Sequence, residues 1–565
     1  MDQSTFVTTT PLWDFNSRRA RILSDVVDRT SAEFSGQDLD LLLGESLFTE
    51  TARLRGGRRL GLSYLFTLSR RLADLELWKE VRRDILKSPD RMQRKRLLET
   101  VSRHYAEEIG GHFSPRVYSF TTSVVPWGFR WLLNAASVKS FMPWGMKQSI
   151  EDQVRIEGEL KALHNISKKG TVLLVPTHQS NMDSLLIGYI IYLINLPPFA
   201  YGAGLNLFTN PVLSFFMNSL GAYTVDRKKK DRIYKETLKN YSAELLREGV
   251  HSVFFPGGGR SRSGAIESHP KLGLLGTGLQ AQIENLRNGK PNPNVYIVPM
   301  VTSYHFVLEA LSLIEDYLLQ EGRHRFMGAD TEEAPKVVNM GRFLWKFFAT
   351  KTNITLRFGS PLDVFGNPVD SEGRSIGPNG TIIDPKKWLT TQGELKSVPQ
   401  RDQEYTRELG KALVDSYYCN NTVLSSHAVA FSYFMSVRKK YPRLDLYRFL
   451  RLSMEQRSIP LKQFFRDAQE THSRLRELAN DRKLFLSPEL QASDVKTWVR
   501  DGLHHLGLLH DAAVVRVTGG HVTTDDMNLL YYYRNRLSGY GLSLLGEHGR
   551  PKILRGELDE KGFLA

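Results

Sequence analysis

The sequence predicts an α/β fold in which a central sheet is flanked by helices, with helical regions at both ends of the chain. Short apolar runs in the middle of the chain have the length of buried strands and end in polar or glycine-rich turns. The first of them, residues 171–176, is soon followed by residues 185–194, an apolar run of helical length. Outside the centre, apolar residues recur at helical spacing, as in residues 91–109 and 461–478.

A histidine and an aspartate follow the first predicted strand, where the chain turns into a helix. His178 and Asp183 are five residues apart, at the sheet edge where open α/β folds bind ligands. A neutral imidazole can take a proton from an alcohol, while a carboxylate fixes the ring's tautomer and stabilises the imidazolium that forms. The alternative interpretation is a polar helix N-terminus capped by Ser180 or Asn181.

Three further strand-like runs end in turn-forming or charged residues, which suits strands whose ends meet at one cleft. They span residues 221–227, 253–264 and 295–300. Glycines let the backbone approach a ligand closely, and arginines grip phosphate oxygens as charge-assisted forks. Taken singly, the arginine–serine run could be a solvated loop and the charges after residue 225 a hairpin tip. The candidate ligand-binding residues are Arg227, Gly258, Gly259, Arg260 and Arg262.

In this order, the four blocks resemble those of the glycerolipid acyltransferases. The run Gly-Gly-Arg-Ser-Arg-Ser-Gly at residues 258–264 is similar to the glycerol-3-phosphate and dihydroxyacetone-phosphate branch. The lysophosphatidate branch usually has Glu-Gly-Thr-Arg-Ser instead. The resemblance covers about residues 90–365 well and the C-terminal third loosely. It implies a central mixed sheet flanked by helices, the core of that superfamily.

The resemblance also implies a reaction, the transfer of a fatty acyl group from a thioester to the sn-1 hydroxyl of glycerol 3-phosphate. The product would be lysophosphatidic acid, made for phospholipid biosynthesis. By the family pattern His178 is the general base and Asp183 its orienting partner. The arginines at 227, 260 and 262, with Ser261 and the glycines, would hold the acceptor's phosphate, and Pro299 would shape the cleft floor. Acyl-CoA or acyl carrier protein would be the co-substrate, and no metal or other cofactor is implied.

Two departures from the family pattern leave other interpretations open. Gly257 stands where a glutamate is common, which predicts that the arginines lack a carboxylate to hold them in place. Asp226, before Arg227, is more typical of lysophosphatidate enzymes. The alternatives are a lysophosphatidate or dihydroxyacetone-phosphate acyltransferase, or a catalytically inactive membrane-associated homologue.

The length and the net charge of the chain limit how it can be divided into domains and which partners it can bind. A chain of 565 residues exceeds one ordinary core, and its net charge of +15 predicts an acidic partner such as an anionic membrane surface. The basic segments lack nucleic-acid-binding signatures, so nucleic acid is not an expected partner. The predicted regions are a helical N-terminal region (1–115), an acyltransferase core with an interfacial lead-in segment (116–365), a linker or insertion (366–400) and a C-terminal helical domain (401–565).

No stretch of the sequence has the length and apolar character of a transmembrane helix. Residues 116–146 and 340–351 instead mix aromatic and basic side chains, as interfacial helices do. We therefore expect a peripheral or monotopic protein at the cytoplasmic face of a membrane. The single cysteine, Cys419, is expected to be a small buried side chain. His504, His505 and His510 are expected to be packing or surface residues rather than metal ligands.

Overall fold

The centre of the protein is a seven-stranded mixed sheet. The computed structural model describes residues 11–56, 62–87, 89–122, 154–205, 211–323, 354–492, 494–508, 510 and 512–542. The strand order is β1-β7-β6-β2-β5-β3-β4. The five strands from β6 to β4 run parallel, whereas β7 is antiparallel to β6 and β1 is parallel to β7. The strands are β1 (Val154–Gly158), β2 (Thr171–Pro176), β3 (Ala200–Gly204), β4 (Ala222–Val225), β5 (Ser252–Val253), β6 (Val295–Tyr304) and β7 (Ile354–Phe358).

Within the described part of residues 11–109, four helices pack against the edge formed by β3 and β4. Their apolar side chains share one buried core with Ala200 of β3 and Tyr223 of β4. The fourth helix begins at a capping box in which Asp90 and Gln93 satisfy each other's backbone amides. These helices are α1 (Phe15–Glu33), α2 (Leu39–Gly56), α3 (Leu62–Ile85) and α4 (Arg91–Ile109).

Helices cover the sheet, and the two longest central strands are buried throughout. All residues of β2 and β6 are buried, as expected of central strands with both faces covered. The predicted α/β fold, with a central mixed sheet and helical regions on both sides of it in sequence, is therefore confirmed. The helices within the core are α5 (Leu160–Ser167), α6 (Asp183–Leu193), α7 (Pro211–Ser219), α8 (Arg232–Arg247), α9 (Leu272–Leu275), α10 (Thr277–Arg287) and α11 (Ala310–Arg323).

After β7, the chain forms two small hairpins around helix α12 (Pro385–Leu389) and then becomes mostly helical. The helices are α13 (Pro399–Cys419), α14 (Ser425–Lys440), α15 (Leu446–Leu450), α16 (Met454–Arg457), α17 (Leu461–Asn480), α18 (Pro488–Ala492), α19 (Val495–Leu508) and α20 (Met527–Arg534). The short strands are β8 (Ser375–Ile376), β9 (Ile382–Ile383), β10 (Thr390–Thr391), β11 (Glu394–Leu395), β12 (Thr422–Val423), β13 (Ile459–Pro460), β14 (Phe485–Leu486), β15 (Arg516–Thr518) and β16 (His521–Thr523).

Helix α14 is the centre of this C-terminal region, because residues 425–437 are all buried. Its apolar side chains belong to the same core as those of β2 and β6, so the C-terminal helices and the sheet share one hydrophobic interior. Cys419, the last residue of α13, is exposed, so the expectation of a buried cysteine was wrong.

Across the described residues, the helices lack the combination of length and apolar sequence that spanning a bilayer requires. Most of the predicted interfacial segment 116–146 and all of segment 340–351 lie outside the described residues.

Candidate active site

The carboxyl ends of three parallel strands bring the predicted residues together at one edge of the sheet. His178 follows β2, the glycine-rich run follows β5, and Arg227 follows β4. The backbone N–H of Ser261 donates to the carbonyl of His178 over 2.7 Å, which joins the first two segments directly. A Cβ atom on Gly259 would lie 3.7 Å from Nη1 of Arg227. The segments that carry His178, Arg227 and Arg260 are therefore neighbours, as expected of residues that follow parallel strands.

His178 and Asp183 form the hydrogen-bonded pair that a general base requires. Nδ1 of His178 lies 2.9 Å from Oδ2 of Asp183, which also accepts the backbone N–H groups of Gln179 at 2.6 Å and Ser180 at 3.0 Å. Because an ionised carboxylate only accepts, the imidazole hydrogen belongs on Nδ1, and Nε2 of the neutral ring carries a lone pair. Asp183 is fully buried, and its hydrogen-bond donors replace the lost water.

Two aromatic residues that the sequence analysis did not single out complete this pair. The hydroxyl of Tyr304, at the end of β6, donates to Oδ1 of Asp183. Burial, with the adjacent Asp183 charge, raises the pKa of Tyr304 well above its ordinary value, so the phenol keeps the hydrogen that it donates. The ring of Phe255 stacks on His178 with a centroid distance of 4.1 Å and fixes the plane of the imidazole. Phe255 lies in the predicted run 253–264, which was the available signal, whereas Tyr304 lies beyond the predicted run 295–300, because β6 continues to residue 304.

The amides of the turn before α6 are already engaged. Gln179 and Ser180 donate to Asp183, Asn181 donates to Glu309, and Met182 and Asp183 donate to the side chain and carbonyl of Ser180. The backbone N–H groups of residues 179–183 are therefore not available to an oxyanion.

The glycine-rich loop is held tightly at both ends. Gly258 has a φ of +69°, and a Cβ there would lie 2.5 Å from Nζ of Lys271. At the other end, a Cβ on Gly264 would lie 2.3 Å from the carbonyl oxygen of Tyr532 in α20. The side chain of Asn535 donates to the carbonyl of Ser263 over 2.9 Å. The C-terminal region thus fixes the loop that carries the arginines.

The remaining predicted residues occupy different positions around this loop. The Ser261 hydroxyl donates to the carbonyl of Ala265 over 2.7 Å, so both hydrogen-bond donors of Ser261 are used within the protein. Arg262 is half-buried in the same loop. Pro299 is buried inside β6, paired with Val175 of β2, and its carbonyl accepts the N–H of Gly359.

Carboxylates reach the loop even though residue 257 is glycine. Oε2 of Glu267 lies 2.3 Å from the position of a Cβ at Gly257, so its carboxylate occupies the space that a side chain there would need. Arg260 pairs with Glu309, whose Oε1 is 3.3 Å from Nη1 of the arginine. The expectation that Gly257 leaves the arginines without a carboxylate was therefore wrong, because distant parts of the chain supply it.

The segment that carries Arg227 is anchored in the N-terminal helices through Lys229. Arg227 is exposed, whereas the side chain of Lys229 is only 1% exposed and forms ion pairs with Asp74 of α3, at 3.1 Å, and with Glu108 of α4. Asp226 is buried and accepts the N–H of Lys228, so it shapes this turn. A role for Asp226 in the turn accounts for its presence without a lysophosphatidate acceptor.

Burial alone would raise the pKa of Asp74, but its contacts outweigh that effect. A hydrogen bond from His104 and the charges of Lys229 and Arg53 hold the pKa well below its ordinary value. Asp74, His104 and Glu108 are also close enough together to hold a cation. The ammonium of Lys229 already contacts both carboxylates, so this cluster is a protein ion-pair network.

The C-terminal histidines pack within the protein. His505 is buried and its ring stacks on that of His305 at 3.8 Å, while His510 hydrogen-bonds to the hydroxyl of Tyr533 over 2.7 Å. His504 is exposed. This arrangement agrees with the expected packing and surface positions.

Residues 158–303, which contain the four blocks, match the family described as Acyltransferase. Curated relatives are named glycerol-3-phosphate acyltransferase: that of Actinobacillus pleuropneumoniae serotype 5b is 34% identical over 172 residues, 30% of this chain and 20% of the relative. That of Haemophilus ducreyi is 38% identical over 139 residues, 24% of this chain and 16% of the relative. The chain thus spans about a fifth of the length of the curated relatives that it matches. Residues 158–303 are an acyltransferase-family domain, and the family resemblance predicted from the sequence blocks is confirmed.

Proposed function

We propose that the protein transfers a fatty acyl group from an acyl thioester to the sn-1 hydroxyl of glycerol 3-phosphate, which gives lysophosphatidic acid. The observation that carries the proposal is the contact between the Ser261 N–H and the His178 carbonyl, which joins the segment of His178 to the arginine-rich loop. The names of the relatives support the choice of acceptor. A base and a phosphate-binding loop at this separation suit a small phosphorylated alcohol.

The residues of the site support a single displacement at the thioester. His178 takes the proton of the acceptor hydroxyl as the oxygen attacks the thioester carbonyl carbon, and Asp183 stabilises the imidazolium. Collapse of the tetrahedral intermediate breaks the carbon–sulfur bond, and the imidazolium returns its proton to the leaving thiolate. The products are an ester and a free thiol. Arg227, Arg260 and Arg262 hold the acceptor's phosphate, and the glycines at 258 and 259 let it approach the backbone.

A parallel assay of three acceptors tests this function. Purified protein is given an acyl-CoA with glycerol 3-phosphate, dihydroxyacetone phosphate or lysophosphatidate, and the labelled lipid products are separated. We expect the highest kcat/KM with glycerol 3-phosphate. Product from lysophosphatidate alone would replace the proposed acceptor, and the absence of product from all three, with acyl-CoA and with acyl carrier protein thioesters, would favour the inactive homologue.

The co-substrate is an acyl-CoA or an acyl-carrier-protein thioester, and the chemistry uses protein side chains alone.

We also propose that the protein works at the cytoplasmic face of a membrane, as a peripheral or monotopic protein on anionic lipid. The net charge of +15 and the exposed apolar side chains Phe120, Leu185 and Phe215 support this location. We expect co-sedimentation with vesicles that contain phosphatidylglycerol and weaker binding to pure phosphatidylcholine. Equal binding to both would remove the electrostatic part of the proposal.

A further inference from the structure

Glu309 connects three of the strand ends that form the site. It lies between β6 and α11, and Oε1 accepts the backbone N–H of Asn181 at 3.1 Å. Its second oxygen, Oε2, accepts the hydroxyl of Ser180 at 3.2 Å. Both contacts are to the turn between His178 and Asp183. The same carboxylate pairs with Arg260 in the loop after β5, over 3.3 Å.

The environment of Glu309 makes these contacts stronger than those of a surface ion pair. The side chains of Glu309 and Arg260 are 14% and 20% exposed, so solvent screens their attraction only partly. The loop before Glu309 is fixed in turn, because the N–H of Val307 donates to the hydroxyl of Tyr533 in α20. The Glu309 carboxylate is therefore held at a defined position between the turn that follows His178 and the side chain of Arg260.

We infer that Glu309 is a positioning residue that sets the distance between the base and the phosphate of the acceptor. A guanidinium carries five N–H donors in a rigid fork, so an arginine paired along one edge can still present others to an anion. Glu309 fixes the first edge of Arg260 and, through Ser180 and Asn181, the turn that carries His178. Glu309 thereby holds the groups that would contact the acceptor's hydroxyl and its phosphate at a fixed distance from each other.

This inference rests on the proposed function for the identity of the acceptor, whereas the coupling between Glu309 and Arg260 does not depend on turnover. Glu309→Gln removes the charge but keeps an oxygen that can accept the Asn181 N–H, so it separates the pairing with Arg260 from the support of the turn. Glu309→Ala removes both. Glu315→Gln is the matched control, because Glu315 lies on the exposed face of α11.

The experiment is a double-mutant cycle of wild type, Glu309→Gln, Arg260→Ala and the combined variant. KM and kcat are measured for glycerol 3-phosphate, and its binding is measured by calorimetry without acyl donor. Because Glu309→Gln removes the charge that pairs with Arg260, we expect it to weaken acceptor binding and raise KM about tenfold, with a smaller change in kcat. In the Arg260→Ala background the same substitution should have almost no effect. Glu309→Ala should lower kcat as well.

The result that overturns the inference is wild-type affinity for glycerol 3-phosphate in Glu309→Gln, or additive effects of the two substitutions. Failure of the proposed function would be seen separately, as wild-type protein that binds or transfers to a different acceptor. In that case the cycle is run on the acceptor that the parallel assay identifies, or on inorganic phosphate if none is acylated. Loss of folding in Glu309→Gln would appear as a melting temperature below that of Glu315→Gln. In that case Glu309→Asp takes its place in the cycle, because aspartate keeps the charge on a shorter side chain.

Discussion

His178→Ala is expected to lower kcat for acyl transfer to glycerol 3-phosphate by about a thousandfold or more, the range lost when a positioned base is removed. The ring is held by Asp183 at 2.9 Å and stacks on Phe255. Truncation to alanine removes the group that, in the proposed mechanism, accepts the proton of the acceptor hydroxyl and returns it to the leaving thiolate. Acceptor KM should change less, because the arginine-rich loop remains. The measurement is steady-state turnover with glycerol 3-phosphate and acyl-CoA.

Two controls separate the loss of a base from the loss of a fold. His504→Ala makes the same substitution at an exposed position of α19 and should turn over like wild type. Calorimetric binding of glycerol 3-phosphate should survive in His178→Ala. A His178→Ala protein that retains more than about a tenth of wild-type kcat would exclude general-base catalysis by this residue.

Asp183 should not be replaceable by asparagine, although the two side chains have the same shape. The carboxylate accepts two backbone N–H groups, the imidazole and the Tyr304 hydroxyl, and an amide would direct its own donors at some of them. The buried site would then contain unpaired donors as well as a misoriented imidazole.

The pair of His178 and Asp183 could be predicted from the sequence only in part. The spacing of His178 and Asp183 indicates the pair, whereas the donors around Asp183 come from the carboxyl ends of two strands, β2 and β6.

The parts of the site that the sequence could predict are those at strand ends. Each of the runs ending near residues 176, 225 and 253 became a parallel strand, and parallel strands place the residues that follow them at a common edge. That rule was sufficient to place His178, Arg227 and Arg260 together. It required no knowledge of which strand pairs with which.

The parts that could not be predicted depend on contacts between distant segments. Glu309 carries no motif, and its partners lie 49 and 128 residues earlier at Arg260 and Asn181. Glu267 fills the space beside Gly257 only because the loop folds back on itself. Lys229 belongs to a run of charged residues that reads as a solvated hairpin tip, yet it is buried by α3 and α4. The spacing of residues along the sequence does not show which side chains the tertiary fold will bury.

Lys229→Met is expected to lower the free energy of unfolding by about 3–5 kcal/mol, the cost of leaving buried carboxylates without their partner. The ammonium contacts Asp74 and Glu108 and lies 4.7 Å from the centre of the Tyr105 ring, so methionine leaves both carboxylates without this cation. Arg53 still pairs with Asp74 at 2.5 Å, which places the expected loss towards the lower end of that range. The measurement is equilibrium unfolding in urea.

The neighbouring lysines provide the matched controls for this prediction. Lys228→Met and Lys230→Met make the same change in the same run at exposed positions, and each should change stability little. Equal stability of all three variants would contradict the anchoring role of Lys229. The same proteins test the link to the site: because Lys229 fixes the segment that carries Arg227, Lys229→Met should also raise KM for glycerol 3-phosphate at temperatures where it remains folded.

The pH dependence of unfolding tests whether Lys229 stabilises the protein through its charge. The pKa of Asp74 is held below its ordinary value of 3.8, so the folded protein binds fewer protons there than the unfolded chain as the pH falls. The stability supplied by these contacts is present above about pH 4 and is lost as the pH falls through the lower folded-state pKa. Lys229→Met removes one of the charges that depress this pKa, so its stability deficit relative to Lys228→Met should shrink in acid. A deficit that stays constant from pH 7 to pH 3 would show that Lys229 stabilises the protein through packing rather than through its charge.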